Sequence, residues 1–228
     1  MNDAYGKKAV ANMSLGFANS SGNTSVDKAV RQLRKSGVVV VAAAGNTDTD
    51  ACSVSPAKEP RAITVGSVSI VFNTTKEYAE DRRSSFSNYG KCVDIWAPGE
   101  KILSASHRSD TGCQFSQGTS MAAPHVSGAI ALYLENGASP SEAEKIILSQ
   151  ATMGKVGDKK SESPDRLLYI GHGTPCKEEN DDGNIITKKS SILPQKNMWN
   201  FCCKPLIFDY HHYFLSRLRM PAFFSFWV

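Results

Sequence analysis

The 228-residue chain has no long hydrophobic run. Its longest apolar stretches, Val38 to Ala44 and Ala129 to Leu134, fall far short of the roughly 20 residues a membrane-crossing helix needs, so no transmembrane segment is expected. The opening residues Met1-Asn2-Asp3-Ala4-Tyr5-Gly6-Lys7-Lys8 lack the apolar segment of a secretory signal. Charge of one sign is also scarce. The formal net charge is +4, and the Lys and Arg residues are scattered among nearly as many acids, which leaves no basic face for nucleic acid. Cysteines number six, at 52, 92, 113, 176, 202 and 203. No two pairs have zinc-ligand spacing, and the count neither requires nor excludes disulfides in a domain of this size. Histidine is scarce too, with none before His107.

What is present is ordinary for a folded protein: 41% hydrophobic and 21% charged residues sit near the averages for globular chains, which argues against a disordered or fibrous one. From Val10 to Ile170 short apolar runs alternate with helix-like segments, the pattern of an α/β layered fold with a mostly parallel sheet. Ala9 to Leu15 reads as a buried strand. Ser25 to Lys35 reads as an amphipathic helix closed by Gly37. Val38 to Ala44 suits a central strand covered on both faces. Ala62 to Gly66 and Val93 to Trp96 are further strands. Met121 to Leu134 is apolar on nearly every side, implying a helix in the middle of the domain, and Ser139-Pro140-Ser141-Glu142 begins another with Ser139 as cap.

Residues 1–170 are thus expected to form one domain. Beyond Gly171 the character changes to an acidic stretch and then an aromatic-rich one, so 171–228 is expected to be a poorly ordered tail. Its end, Phe223-Phe224-Ser225-Phe226-Trp227-Val228, reads either as a poorly folded extension or as a membrane or partner contact.

Chemistry concentrates in Gly118-Thr119-Ser120-Met121-Ala122-Ala123-Pro124-His125-Val126-Ser127-Gly128. A serine hydroxyl is a poor nucleophile unless held exposed and given a base. Ser120, placed where a loop enters a helix, gains exposure and the positive end of the helix dipole, which favours a developing oxyanion. Alone, Gly-Thr-Ser reads equally as a helix cap. The full eleven residues, however, resemble the nucleophile motif of the subtilisin-like serine proteases, particularly the proteinase K-like subfamily. The resemblance spans roughly residues 3 to 170. It implies a subtilisin-like three-layer fold, incomplete at its N-terminus, and a serine endopeptidase activity with Ser120 as nucleophile.

Other segments support the resemblance and take roles from it. Asn46 in Ala43-Ala44-Gly45-Asn46, otherwise an ordinary turn asparagine, matches the residue whose amide donates to the oxyanion beside the serine N–H. Asn12-Met13-Ser14-Leu15-Gly16 resembles the strand that pairs with substrate backbone, with Ser14, Leu15, Gly16, Ala43, Ala44 and Gly45 lining a pocket for apolar or aromatic side chains. Arg82 to Gly90 and Asp94 to Gly99 resemble subfamily signatures that serve structure. Asp94 matches a calcium ligand, with the carbonyls of Pro60 and Ala62, an oxygen donor set that suits this hard cation. Cys52 and Cys92 match positions bridged in some bacterial members, implying an oxidising, extracellular setting. The sequon Asn73-Thr74-Thr75 points the same way.

One part of the pattern is absent. The family's triad runs Asp, His, Ser, with both earlier residues ahead of the substrate-pairing strand, and here only a few residues precede it. Asp3 has none of the flanking motif. His125, five residues after Ser120 on the same helix, points about 140° away. His107, His172, His211 and His212 lack the family's histidine context. The expectation is a chain inactive alone, needing a missing N-terminal segment or propeptide. The alternative is a non-catalytic peptide binder.

Overall fold

The run Val38–Ala43 is buried along its whole length, as its β-branched composition predicts for a strand covered on both faces. Side-chain alternation sends Val39, Val41 and Ala43 to one face and Val38, Val40 and Ala42 to the other. A computed structural model describes residues 8–18, 24–73 and 78–171, plus three short strands at Lys177–Glu179, Ile185–Thr187 and Phe223–Phe226.

In chain order the strands are β1 (Ala9–Met13), β2 (Phe17–Ala18), β3 (Val38–Ala43), β4 (Val54–Ser55), β5 (Ile63–Asn73), β6 (Tyr78–Arg83), β7 (Ile95–Pro98), β8 (Ile102–Ala105), β9 (Cys113–Ser116), β10 (Thr152–Met153), β11 (Val156–Gly157) and β12 (Arg166–Leu167). The three beyond residue 171 are β13, β14 and β15, and the helices are α1 (Ser25–Lys35), α2 (Thr119–Glu135) and α3 (Pro140–Ser149). The main sheet runs β10-β12-β7-β5-β3-β1-β15, with β6 and β11 attached beside β5. Its centre, β1-β3-β5-β7, is parallel throughout.

Helices cover both faces, giving the three-layer α/β architecture. On one side α2 and α3 bury Ala122, Val126, Ile130 and Ile147 against Val10, Val41, Val65 and Ile95. On the other, α1 presses Val30 onto Ala11, Val40 and Ala42. Thr24 and Asp27 close a capping box at the start of α1, and Gly37 follows its end with φ +80°, the left-handed value that glycine accepts without steric cost. Ser139 caps α3 with Pro140 at its first position, as the sequence predicts.

Three features differ from expectation. The strand beginning near Ala62 does not stop at Gly66 but continues to Asn73 and returns as β6. The insertion around residues 71–80 is therefore the outer end of a hairpin, with Ile70, Val71 and Phe72 exposed. The strand expected at Val93–Trp96 begins only at Ile95, because Val93 N–H turns back to Gly90 O in the preceding turn, while Asp94 N–H reaches Thr64 O on β5. Most of the tail at 171–228 lies outside the described residues, yet three strands occur within it where sequence alone assigned none. Of these, β15 pairs with β1.

Candidate active site

The end of β1, the end of β3 and the start of α2 meet at one rim of the parallel sheet. Gly118 precedes α2 with φ +145° and donates its N–H to Gly99 O at 2.7 Å. Thr119 and Ser120 are the first two helical residues, so the N–H of Ser120 belongs to the unsatisfied group that every helix start presents. Ser120 is half-buried.

Pro124 lies inside α2 and has no N–H to return to the carbonyl four residues earlier, which is that of Ser120. Ser14 takes this carbonyl instead, donating its hydroxyl to Ser120 O at 2.7 Å. In return Ser120 Oγ donates to Ser14 O at 3.3 Å. Behind this pair, Asn12 Nδ2 donates to Ser14 Oγ (2.9 Å) and Ser127 Oγ donates to Asn12 Oδ1 (3.1 Å), all three residues being buried. The network fixes β1 against α2 at the serine. Asn12, Pro124 and Ser127 were given no roles from sequence, although a proline inside so apolar a helix marks a carbonyl in need of a donor.

Asn46 lies opposite. Its Oδ1 accepts from Thr119 N–H (2.8 Å) and Thr119 Oγ1 (3.0 Å). A backbone N–H can only donate, so the amide orientation is determined: Nδ2 turns toward the rim, 3.3 Å from where a Cβ on Gly118 would stand. Nδ2 and the Ser120 N–H make no hydrogen bond among the described residues, leaving two unspent donors on either side of the Cβ position of Gly118, at 3.3 and 3.7 Å from it. The loop carrying Asn46 is clamped by Asn88, whose Oδ1 accepts from the N–H groups of Thr47 (3.0 Å) and Thr49 (3.1 Å) and whose Nδ2 donates to Ala44 O (2.9 Å).

The six residues expected around a substrate pocket divide. Ser14 is buried in the network just described, Leu15 is half-buried and Gly16 is exposed. Ala43 and Ala44 point their methyl groups into the core, so only their backbone faces this rim. A Cβ on Gly45 would fall 2.4 Å from Asn88 Nδ2, which explains the glycine there, at φ +103°.

No imidazole or carboxylate bonds Ser120 among the described residues. His125 Nδ1 instead meets Met121 O at 2.8 Å, and burial holds its imidazole below the usual histidine range. His107 is exposed, while Asp3, His172, His211 and His212 lie outside the described residues. Cys52 and Cys92 are joined in a disulfide with Cα atoms 5.2 Å apart. Cys113 is not in a disulfide, while Cys176, Cys202 and Cys203 are not described. Asp94 Oδ2 accepts from Thr64 N–H at 2.7 Å, just after the turn formed by Pro60 to Ala62. Burial raises its pKa to about 6, and the charge of Glu144 adds to this.

Comparison with known proteins decides the family. A profile of the subtilase family matches residues 2–173. The chain belongs to the subtilase family. It is 44% identical over 173 residues to alkaline serine exoprotease A of Vibrio alginolyticus, covering 75% of this subtilase chain and 30% of that protein. It is 46% identical over 165 residues to an extracellular serine proteinase of a Thermus species, covering 72% and 37%. The crystal structure of a cold-adapted subtilisin-like serine proteinase superposes with a TM-score of 0.61 at 44% identity, covering 72% of this chain and 55% of the other. The subtilase chain thus spans about a third of the length of these curated relatives.

Proposed function

We propose that this subtilase chain is the nucleophile-bearing part of an extracellular serine endopeptidase, with no group among its described residues placed to activate the serine. Ser120 Oγ is the attacking group. The Ser120 N–H and Asn46 Nδ2 receive the oxyanion that forms when a peptide carbonyl is attacked, and such donors are each worth roughly 3–4 kcal/mol in the transition state. Their substrates are peptides or proteins, laid along the Ser14-Leu15-Gly16 edge. The observation that carries the reading is the pair of unspent donors at Gly118, held by Thr119 and the Asn88 clamp. Extracellular residence is supported by the Cys52–Cys92 bridge and by the printed name of the Thermus relative.

Attack also requires that the hydroxyl proton leave. Here the Ser120 hydroxyl donates to a neutral carbonyl, Ser14 O, which cannot take the proton away. The base and its orienting carboxylate therefore come from outside the described residues, supplied by an N-terminal segment of the same protein or by a separate one. A fluorophosphonate probe followed by peptide mapping checks this. Ser120 of the purified chain should label no faster than serines elsewhere on its surface. Rapid stoichiometric labelling at Ser120 would show that the chain carries its own base.

A second reading, peptide capture without cleavage, is favoured by the exposed Gly16 beside an unactivated serine. Fluorescence anisotropy with apolar and charged hexapeptides separates the readings, since capture requires saturable binding by a chain that leaves the peptide intact.

The chain's residues also fit a structural calcium ion. Asp94 holds a half-buried carboxylate on which burial outweighs the charge of Arg166, and its bond to Thr64 N–H sets it beside the Pro60–Ala62 turn, whose carbonyls would complete a hard oxygen set. The pH dependence follows from the shift. Native Asp94 keeps its proton up to about pH 6, whereas the unfolded chain loses it near 3.8. Without a cation the group favours the native state below the lower value, and this contribution, on the order of 2–3 kcal/mol, is lost as pH rises through 6. Calcium binds the ionised form. Millimolar calcium should therefore raise Tm above neutrality and much less near pH 5, and Asp94→Asn should abolish the shift. An equal calcium effect in Asp94→Asn would remove Asp94 from the site.

A further inference from the structure

We infer that the C-terminal segment Phe223–Phe226 is a donor strand built into this chain, which covers the outer edge of β1. The register is parallel and continuous: Val10 faces Phe223, Ala11 faces Phe224, Asn12 faces Ser225 and Met13 faces Phe226. On its other side β1 is paired along its length with β3. The sequence of β1, Ala-Val-Ala-Asn-Met, explains why a partner is required. It carries no charge, no proline and no bulge, the devices that protect an edge strand from pairing with other chains. Its first four residues are at most 8% exposed, and Val10 and Ala11 are packed in the cores on opposite faces of the sheet. A strand buried on both faces belongs in a sheet interior. Left uncovered, alternate residues of β1 would turn unpaired N–H and C=O groups to solvent.

The occupant is equally uncharged, Phe-Phe-Ser-Phe, a composition with high strand propensity. The roughly fifty residues between 171 and 223 are no obstacle in themselves, because the entropic cost of bringing two chain positions together rises only with the logarithm of their separation. The slot ends at Met13, directly before Ser14 of the serine network. Any other extended segment that pairs with β1 must first displace the tail, so the tail competes for the sheet edge nearest Ser120.

Residue-resolved hydrogen exchange on the full chain tests the pairing. In a parallel ladder alternate amides point to opposite neighbours, so β1 amides fall into a set bonded to β3 and a set bonded to β15. Both sets should be protected in the unsubstituted chain. In the double variant Phe224→Pro with Ser225→Pro, whichever of the two residues bonds β1, its N–H is removed. The β15-facing set should then exchange roughly tenfold or more faster while the β3-facing set is retained. Unchanged protection in that variant overturns the inference, as does rapid exchange of the β15-facing set in the unsubstituted chain. If the variant does not fold, interstrand nuclear Overhauser contacts between Ala11 or Asn12 and Phe224 or Ser225 decide in the unsubstituted chain, their absence overturning the pairing. Protection that grows with protein concentration would assign the slot to a second copy and overturn the intramolecular strand.

Discussion

Replacing Gly66 by alanine is expected to cost the domain most of its stability. Gly66 faces Trp96 across the parallel pair β5-β7, and a Cβ at residue 66 would lie 2.3 Å from both Cε3 and Cζ3 of the indole. That ring cannot step aside. Trp96 is fully buried, packs with Val68, Val93, Val156 and Leu167, and donates its Nε1–H to Pro164 O at 2.8 Å. The methyl must therefore separate two central strands or expel the largest buried side chain. Overpacking costs about 1–3 kcal/mol where neighbours can yield, and here at least the upper figure applies, against a total of about 5–15 kcal/mol for an ordinary domain. Urea denaturation followed by tryptophan fluorescence should show a collapsed midpoint or no folded baseline. Adding Trp96→Leu should recover part of the loss, since two substitutions in one contact are not additive. A midpoint within a few tenths of a molar of the parent would refute this account of the contact.

The elements that could be read from sequence are those whose local signals agree with their tertiary role. Val38–Ala43 is β-branched and buried on both faces, and α1 and α3 carry their caps in sequence, so boundaries and type coincide. The shift of β7 to Ile95 could not be read, because Val93 and Asp94 look like strand residues and only the bond from Val93 N–H back to Gly90 O carries the preceding turn as far as Val93. Likewise β15 gains its pairing only from the open side of β1, more than two hundred residues away in sequence. At the candidate site, Ser120 and Asn46 were legible through motif resemblance, and the structure brings them to one rim. The residues that hold them were not. Asn12 and Ser127 act through buried side-chain bonds across β1 and α2, a relation that neither periodicity nor spacing encodes.

Arg83 is the second position where a single change should have a large effect, and it joins the fold to the Asn46 loop. Its guanidinium is almost wholly buried at the end of β6. It donates to Ser84 O (3.2 Å), Ser85 O (3.3 Å), Ser87 O (2.6 Å) and Asp158 O (3.0 Å), pairs with Asp48 at 2.8 Å, and lies 5.5 Å from the centre of the Tyr89 ring. These carbonyls shape the turn that presents Asn88, and Asn88 holds Thr47 and Thr49, between which Asp48 sits. Arg83 therefore grips the Asn46 loop at two points, through Asp48 directly and through Asn88. The carboxylates it pairs with are half-exposed, so the loss falls on the carbonyls left without a donor, at about 1–3 kcal/mol for each that stays buried. Arg83→Ala should show that loss in urea denaturation. Arg83→Lys should recover little, because an ammonium has three donors and no planar fork to serve carbonyls on several sides. The local consequence has its own readout, since the side-chain amide resonances of Asn46 should move toward random-coil positions in both variants once Thr47 and Thr49 are released. Unshifted Asn46 resonances in a folded Arg83→Ala chain would show that the loop is held by Asn88 alone and that Arg83 acts only on stability.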